Sequence, residues 1–186
     1  MVWIELDEKG DKVALLNESV KKYIGMQTEY MTACDPVERG AVRRHAQATQ
    51  DEDPIYRVPC ADNERFGGPV APPLYPSQMF RRDFGAPDPL QERAHDPNYD
   101  GLDSGVTGGL PEIEPIKHLA LLNGGSEIEF FRYARHGEAV KMRSRYSDIV
   151  ERETSKGPML FVTIETEYRN GDEALLMKTR RTLIRR

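Results

Sequence analysis

The chain has 186 residues, 38% apolar and 31% charged, with a net charge of -5. That balance fits one soluble domain with a sizeable core, residues 1–186, and the acidic excess argues against nucleic acid as the main partner. No run of eighteen apolar residues occurs, and no basic segment precedes an apolar block at the N-terminus, so neither a membrane span nor a secretory signal is indicated and the expected location is cytoplasmic.

In chain order, residues 1–12 are charged around Trp3 and Ile4 without a clear period, and Glu18–Tyr23 reads as a brief helix or turn. Ile24–Ala33, with Met26, Thr28, Tyr30 and Thr32, is β-prone and reads as a first strand. A helix follows. Asp35 suits the N-cap, Pro36 the first helical position and Glu38 the third residue after the cap, a capping-box pattern. Val37, Ala41 and Ala48, with His45 as a further candidate, fall on one side at helical spacing, while Arg39, Arg43, Arg44, Gln47 and Gln50 face outward. The helix breaks at Asp51-Glu52-Asp53-Pro54, because the residue before proline is driven from the helical region. Cys34 and Cys60 form no disulfide or zinc pattern and read as reduced thiols.

Phe66–Phe80 reads FGGPVAPPLYPSQMF, a rigid turn whose paired glycines admit the close approach of a ligand or a second backbone. Gly85–Lys117 holds five prolines and five glycines, yet also Leu90, Tyr99, Leu102, Val106, Leu110, Ile113 and Ile116. Such an insert is expected to lie over the helix or a tunnel mouth rather than act as a linker. From Ser126 the pattern alternates with period two: Ile128 and Phe130, Val140 and Met142, then Leu160, Val162 and Ile164. Breaks at His136-Gly137, Lys156-Gly157-Pro158 and Asn170-Gly171 predict a four-strand antiparallel meander, the last break as a two-residue hairpin. Lys178, Arg180, Arg181, Arg185 and Arg186 read as a solvated strand face. One helix wrapped by a curved antiparallel sheet is an α+β hot-dog fold, with an open edge available to a second hot-dog domain.

The order of strand, helix, acidic Asp-x-x-Pro loop, Gly-Gly-Pro-Val-Ala-Pro-Pro turn and late strands resembles the MaoC-like acyl dehydratases, in particular the N-terminal, fatty-acid-synthase-like type. Catalytic members carry Gly-Asp-x-Asn-Pro-x-His, where this chain has Gln50-Asp51-Glu52-Asp53-Pro54-Ile55-Tyr56. Asp51 matches the catalytic aspartate, and Tyr56 stands in the place of the histidine. The resemblance implies catalytic roles for Asp51 and Tyr56, and substrate contacts by Asp53, Gly67, Gly68, Val70 and Ala71. It also implies an acyl thioester substrate, usually of coenzyme A, water added to or removed from the 2,3 double bond, and no cofactor. Gly124-Gly125 and Gly137 resemble fold markers of the same family.

Tyrosine titrates near 10 where histidine titrates near 6.5, so Tyr56 is a poor general base. Two readings therefore stand: an enoyl-CoA hydratase or 3-hydroxyacyl-thioester dehydratase acting alone or within a heteromer, and a non-catalytic acyl-CoA-binding half that shapes the tunnel of a catalytic partner. A hot-dog thioesterase is a third, disfavoured because the helix offers no acid after Glu38. The expected partner is a second hot-dog subunit, identical or not. His45 reads as a packed helical residue, His95 and His118 flank the insert, His136 sits in a turn, and no histidine pair has metal-ligand spacing.

Overall fold

The computed structural model describes residues 14–57, 60–97 and 107–186. Residues 1–12 around Trp3 and Ile4, and Tyr99, Leu102 and Val106 of the insert, lie outside the described residues. The elements are helix α1 (Glu18–Lys21), strand β1 (Met31–Thr32), helix α2 (Arg39–Thr49), helix α3 (Pro89–Arg93) and strands β2 (Leu121–Phe130), β3 (Val140–Thr154), β4 (Gly157–Asn170) and β5 (Leu175–Arg185). Single 3-10 turns occur at Pro54–Tyr56, Ala61–Phe66, Tyr75–Gln78 and Glu114–Ile116.

The strands form one antiparallel sheet in the order β1-β3-β4-β5-β2. The expected meander holds for β3, β4 and β5 only. β2 pairs with β5 across Leu121–Phe130 and becomes an edge, so His136-Gly137 begins a crossover instead of a hairpin. The first strand is present in irregular form. Gly25 donates to Tyr146, Thr28 to Ser144 and Ala33 to Val140, so residues 25–33 track β3 although only Met31 and Thr32 are regular.

Asp35 does not cap α2. The Val37 amide donates to the Glu138 carbonyl and Gly137 donates back to Val37, which keeps Val37 out of the helix. Helical geometry therefore starts at Arg39, with Glu38 as a cap that makes no side-chain hydrogen bond. Within α2 the buried residues are Val42 and Ala46, with Ala41 and His45 half-buried; Ala48 is exposed. The later start moved the capping signal off the helix, and the buried stripe is Val42 and Ala46 instead of Ala48.

Two apolar clusters cover the concave face of the sheet. Val37, Val42, Ala46, Ile55, Tyr56, Val70, Ala71 and Tyr75 pack on Val140, Met142, Tyr168, Leu176 and Met177. Val20 and Tyr23 join Leu110, Ile113 and Ile116 against Tyr146, Ile149, Leu160, Val162, Ile164 and Leu183. The described end of the insert thus packs with α1 on the far half of the sheet, not over α2, because its apolar residues meet the half that α2 leaves bare. Tyr146 fixes it there by donating to the Pro111 carbonyl at 2.8 Å. Between the clusters, Ser144 and Thr166 satisfy each other at 2.8 Å, as buried hydroxyls must. A bulge between Tyr146 and Asp148 switches the buried parity of β3, which keeps Ile149 inward after Tyr146.

The β4–β5 connection is longer than a two-residue turn. Asn170 donates to Ala174, Glu173 donates to Asn170, and the left-handed residue is Glu173 at φ 65°. This is the loop in which a type I turn is followed by a left-handed bulge residue. Glycine adopts that conformation freely and glutamate only at a steric cost, while the Lys141–Glu173 pair at the surface contributes little. Glu173→Gly is therefore expected to raise stability by about 0.5–1 kcal/mol, read as an increased urea midpoint with unchanged m. Gly108 is the opposite case: at φ +64° an added Cβ lies 2.4 Å from the Ser144 hydroxyl. Gly108→Ala is expected to cost about 2 kcal/mol or more in the same measurement.

Candidate active site

α2 ends in a left-handed residue, Gln50 at φ 58°, whose amide donates to Gln47 while the Asp51 amide donates to Ala46 at 2.9 Å. This is the Schellman arrangement with glutamine where glycine is usual, a local cost of roughly 1 kcal/mol or more. It turns the chain sharply enough to carry Asp51 back beside Tyr56. The Tyr56 hydroxyl donates to Asp51 Oδ2 at 3.1 Å.

The three acids of the loop have separate tasks. Asp51 is exposed and accepts from Tyr56. Glu52 is held by Arg57, which donates to its carbonyl at 3.1 Å and its carboxylate at 3.4 Å. Asp53 accepts the Ile55 amide at 3.0 Å and caps the 3-10 turn that Pro54 opens. Its carboxylate is thus occupied by the backbone that presents Tyr56.

Tyr56 is only 8% exposed. Burial, followed by its hydrogen bond to Asp51 and the charge of that group, pushes the phenol well above its ordinary range, with smaller contributions from Tyr133 and Asp53. Tyr56 is accordingly a permanent proton donor to Asp51 at neutral pH, not a base. Tyr133 was not singled out from sequence. It lies after β2, where strand alternation has ended, and stacks edge-on with Phe66 at 5.0 Å, with the Arg65 guanidinium 4.6 Å from the Phe66 ring. Only the crossover from β2 to β3 brings it beside the acidic loop.

The Gly67–Pro73 turn stitches that loop to the sheet. Val70 donates to Ile55 at 3.1 Å and Ala71 to Ala134 at 2.8 Å, both side chains being fully buried. Gly67 donates to Glu64 and Gly68 to Asn63, and Pro69, Pro72 and Pro73 have no amide hydrogen. Every amide from Gly67 to Pro73 is therefore committed within the chain. Asn63, 1% exposed, supports the same corner by accepting from Cys60.

The histidines stand elsewhere. His45 packs edge-on against Tyr75 at 5.5 Å, and His95 and His118 are exposed. His136 donates its backbone amide to Pro69; burial, with Arg39 nearby, pushes its imidazole below the ordinary range, and no partner of its enclosed Nε2 is found among the described residues. No described contact joins any of the four to Asp51. Among the described residues no group of three or more His, Cys, Asp or Glu is placed to hold a metal, and no helix is long and apolar enough to cross a membrane.

The raised Tyr56 pKa has a consequence at high pH. The folded state keeps a proton that an unfolded tyrosine releases near pH 10, so the associated stability is complete below that pH and is lost as pH rises above it. Tyr75, Tyr146 (pushed up to about 12) and Tyr168 act in the same direction through burial. Tyr56→Phe is expected to flatten the fall of the urea midpoint above about pH 10 relative to wild type.

The fold recurs among solved structures. The ChsH1-ChsH2 complex from Mycobacterium tuberculosis contains a chain matched at TM-score 0.67 and 20% identity, covering 90% of this chain and 88% of that one. The (R)-hydratase from A. caviae involved in PHA biosynthesis matches at TM-score 0.53 and 13% identity, covering 86% and 94%. The HadBC 3R-hydroxyacyl-ACP dehydratase complex, also from M. tuberculosis, matches at 0.51 and 16%, covering 87% and 96%. A comparison with curated proteins gives no match. Residues 22–179 match the model of the FAS1-like dehydratase domain region, which spans the acidic loop, the Gly67–Pro73 turn and nearly the whole sheet, and so the chain belongs to the FAS1-like dehydratase domain family.

Proposed function

We propose that this chain is a hydro-lyase subunit acting on acyl thioesters, an enoyl-CoA hydratase or 3-hydroxyacyl-thioester dehydratase of fatty acid metabolism in the cytoplasm, completed by a second hot-dog subunit. The observation that carries this is the Asp51–Tyr56 hydrogen bond at 3.1 Å in a dehydratase-family fold. Asp51 removes a proton from water as the oxygen bonds to C3 of the enoyl thioester. The proton held on Asp51 then passes to C2, so that H and OH add across the double bond and the carboxylate is regenerated. Tyr56 orients Asp51 throughout and keeps its own proton. Dehydration runs the same steps in reverse, and none requires a redox cofactor.

The thioester carbonyl also needs hydrogen-bond donors as charge develops on its oxygen. Gly67, Gly68, Val70 and Ala71, expected from the family resemblance to contact substrate, have amides engaged within the chain. Their contribution is shape, and the donors come from the partner. The solved neighbours ChsH1-ChsH2 and HadBC are both complexes, which supports this division.

The test is hydration of a trans-2-enoyl-CoA series by this chain together with the hot-dog chain that co-purifies with it. Asp51→Asn is expected to lower kcat by roughly a hundredfold or more, with folding and acyl-CoA binding retained, and Tyr56→Phe by a smaller factor. The presence of Tyr56 where a histidine would be the stronger base favours one other reading, a non-catalytic acyl-binding half. Unchanged turnover in Asp51→Asn would establish that reading and discard the first.

A further inference from the structure

His136 is built into the frame of the candidate site. It stands in the crossover between β2 and β3, and that crossover is tied on two sides. Towards the Gly67–Pro73 turn, the His136 amide donates to the Pro69 carbonyl at 3.1 Å, and Val70 and Arg135 form an isolated antiparallel bridge. Towards α2, Gly137 donates to the Val37 carbonyl at 2.8 Å and the Glu138 carbonyl accepts the Val37 amide at 2.9 Å.

The ring is held as well as the backbone. One ring nitrogen hydrogen-bonds to the Val70 backbone, and because the Val70 amide is committed to Ile55, the group it meets is the Val70 carbonyl. Nε2 is enclosed, and no partner for it is found among the described residues. A neutral imidazole has one N–H and one bare nitrogen, so this pattern assigns the proton to Nδ1 and leaves Nε2 bare. Protonation would put a second N–H at Nε2, enclosed and without an acceptor, on a ring that is then charged.

The charged groups around the ring give that proton no support. From the start of α2 the group that bears on it is Arg39, a cation. On its own segment Arg135 and Glu138 are paired with each other at 2.9 Å, and Glu138 also accepts from Asn170. Asp35 and Glu38, on either side of Val37, bear on Tyr75. The Gly67–Pro73 turn has no ionisable side chain. The neutral ring is therefore the form that fits the closed turn.

We propose that His136 is a positioning residue that works only when neutral: it grips Pro69 and Val70 from the sheet side, and its protonation expels the ring and loosens the turn from which Ile55 and Tyr56 hang. The path to the site is short. Val70 donates to Ile55 at 3.1 Å, Tyr56 follows Ile55, and Tyr56 donates to Asp51 at 3.1 Å. Slackening at Val70 thus reaches the carboxylate to which the proposed function gives the chemistry, and the bearing on hydration rests on that reading. A released ring titrates near 6.5 and the seated ring lower, so the closed turn is fully favoured above about pH 6.5 and is lost as pH falls below it. At pH 5.5 a released ring is protonated about ten times in eleven, which favours opening by up to about tenfold relative to pH 7.5.

The test is amide exchange and histidine ring NMR on the full chain between pH 7.5 and 5.5, with His136→Asn beside wild type. Asparagine keeps an N–H near the Nδ1 position and does not titrate. In wild type the protection factors of the Val70, Ala71 and His136 amides are expected to fall by up to about tenfold at pH 5.5, while those of β4 hold, and the His136 ring signal to titrate below the ordinary histidine range. In His136→Asn the Val70 and Ala71 protection should be the same at both pH values. A His136 signal titrating near 6.5, protection of the turn that does not change with pH in wild type, a loss shared equally by β4, or the same fall in His136→Asn each overturns the proposal. Should the variant fail to fold, the wild-type titration and exchange decide alone. No substrate is used, so the outcome is independent of whether Asp51→Asn abolishes hydration.

Discussion

The arrangement at the candidate site depends on two backbone hydrogen bonds, Val70 to Ile55 and Ala71 to Ala134. Between them they suspend the acidic loop from the sheet through a turn whose two side chains are fully buried. A buried amide left unpaired costs about as much as a lost hydrogen bond, so the turn is fixed by its partners as well as by its prolines. Ile55 and Tyr56 are buried as a consequence, and Tyr56 has little freedom except to point its hydroxyl at Asp51. The Ile55 and Tyr56 side chains thus belong to the core, while Asp51, Glu52 and Asp53 are exposed.

A buried phenol whose acceptor is a carboxylate holds its proton more firmly than a free one, which suits it to orientation and denies it the role of base. The amides of Gly67, Gly68, Val70 and Ala71 are all engaged in fastening the turn. Asp51 is exposed, as are Glu52 and Asp53, which are engaged by Arg57 and by the Ile55 amide. The apolar and charged rows of β2 are continuous with those of β5.

The insert and the N-terminal segment share a second structural task. Leu110, Ile113 and Ile116 from one, and Val20 and Tyr23 from the other, close the half of the concave face that α2 does not reach. With eleven residues, α2 spans only about 16 Å at 1.5 Å per residue. The fifteen residues of β3 extend far beyond it. A short helix on long strands needs other chain to cover the remainder, and the apolar residues scattered between glycines and prolines supply it.

Local signals in the amino-acid sequence determined the period-two strands, the break at Asp51–Pro54, the rigid Gly67–Pro73 turn and the hot-dog class. Each of these rests on steric or hydrophobic rules that act over a few residues. Asp51, Asp53 and Tyr56 were singled out only through the resemblance of their segment to the dehydratase motif; the structure sets the Tyr56 hydroxyl on Asp51 and the Ile55 amide on Asp53. Tertiary structure decided the rest, because it depends on which backbone groups find each other across the chain. The Glu138 carbonyl claimed the Val37 amide and delayed α2, and β5 claimed β2 and turned a meander into an open edge. The same crossover placed Tyr133 near Tyr56 and lined up alternate charges from four strands in two rows, a register that no single strand contains.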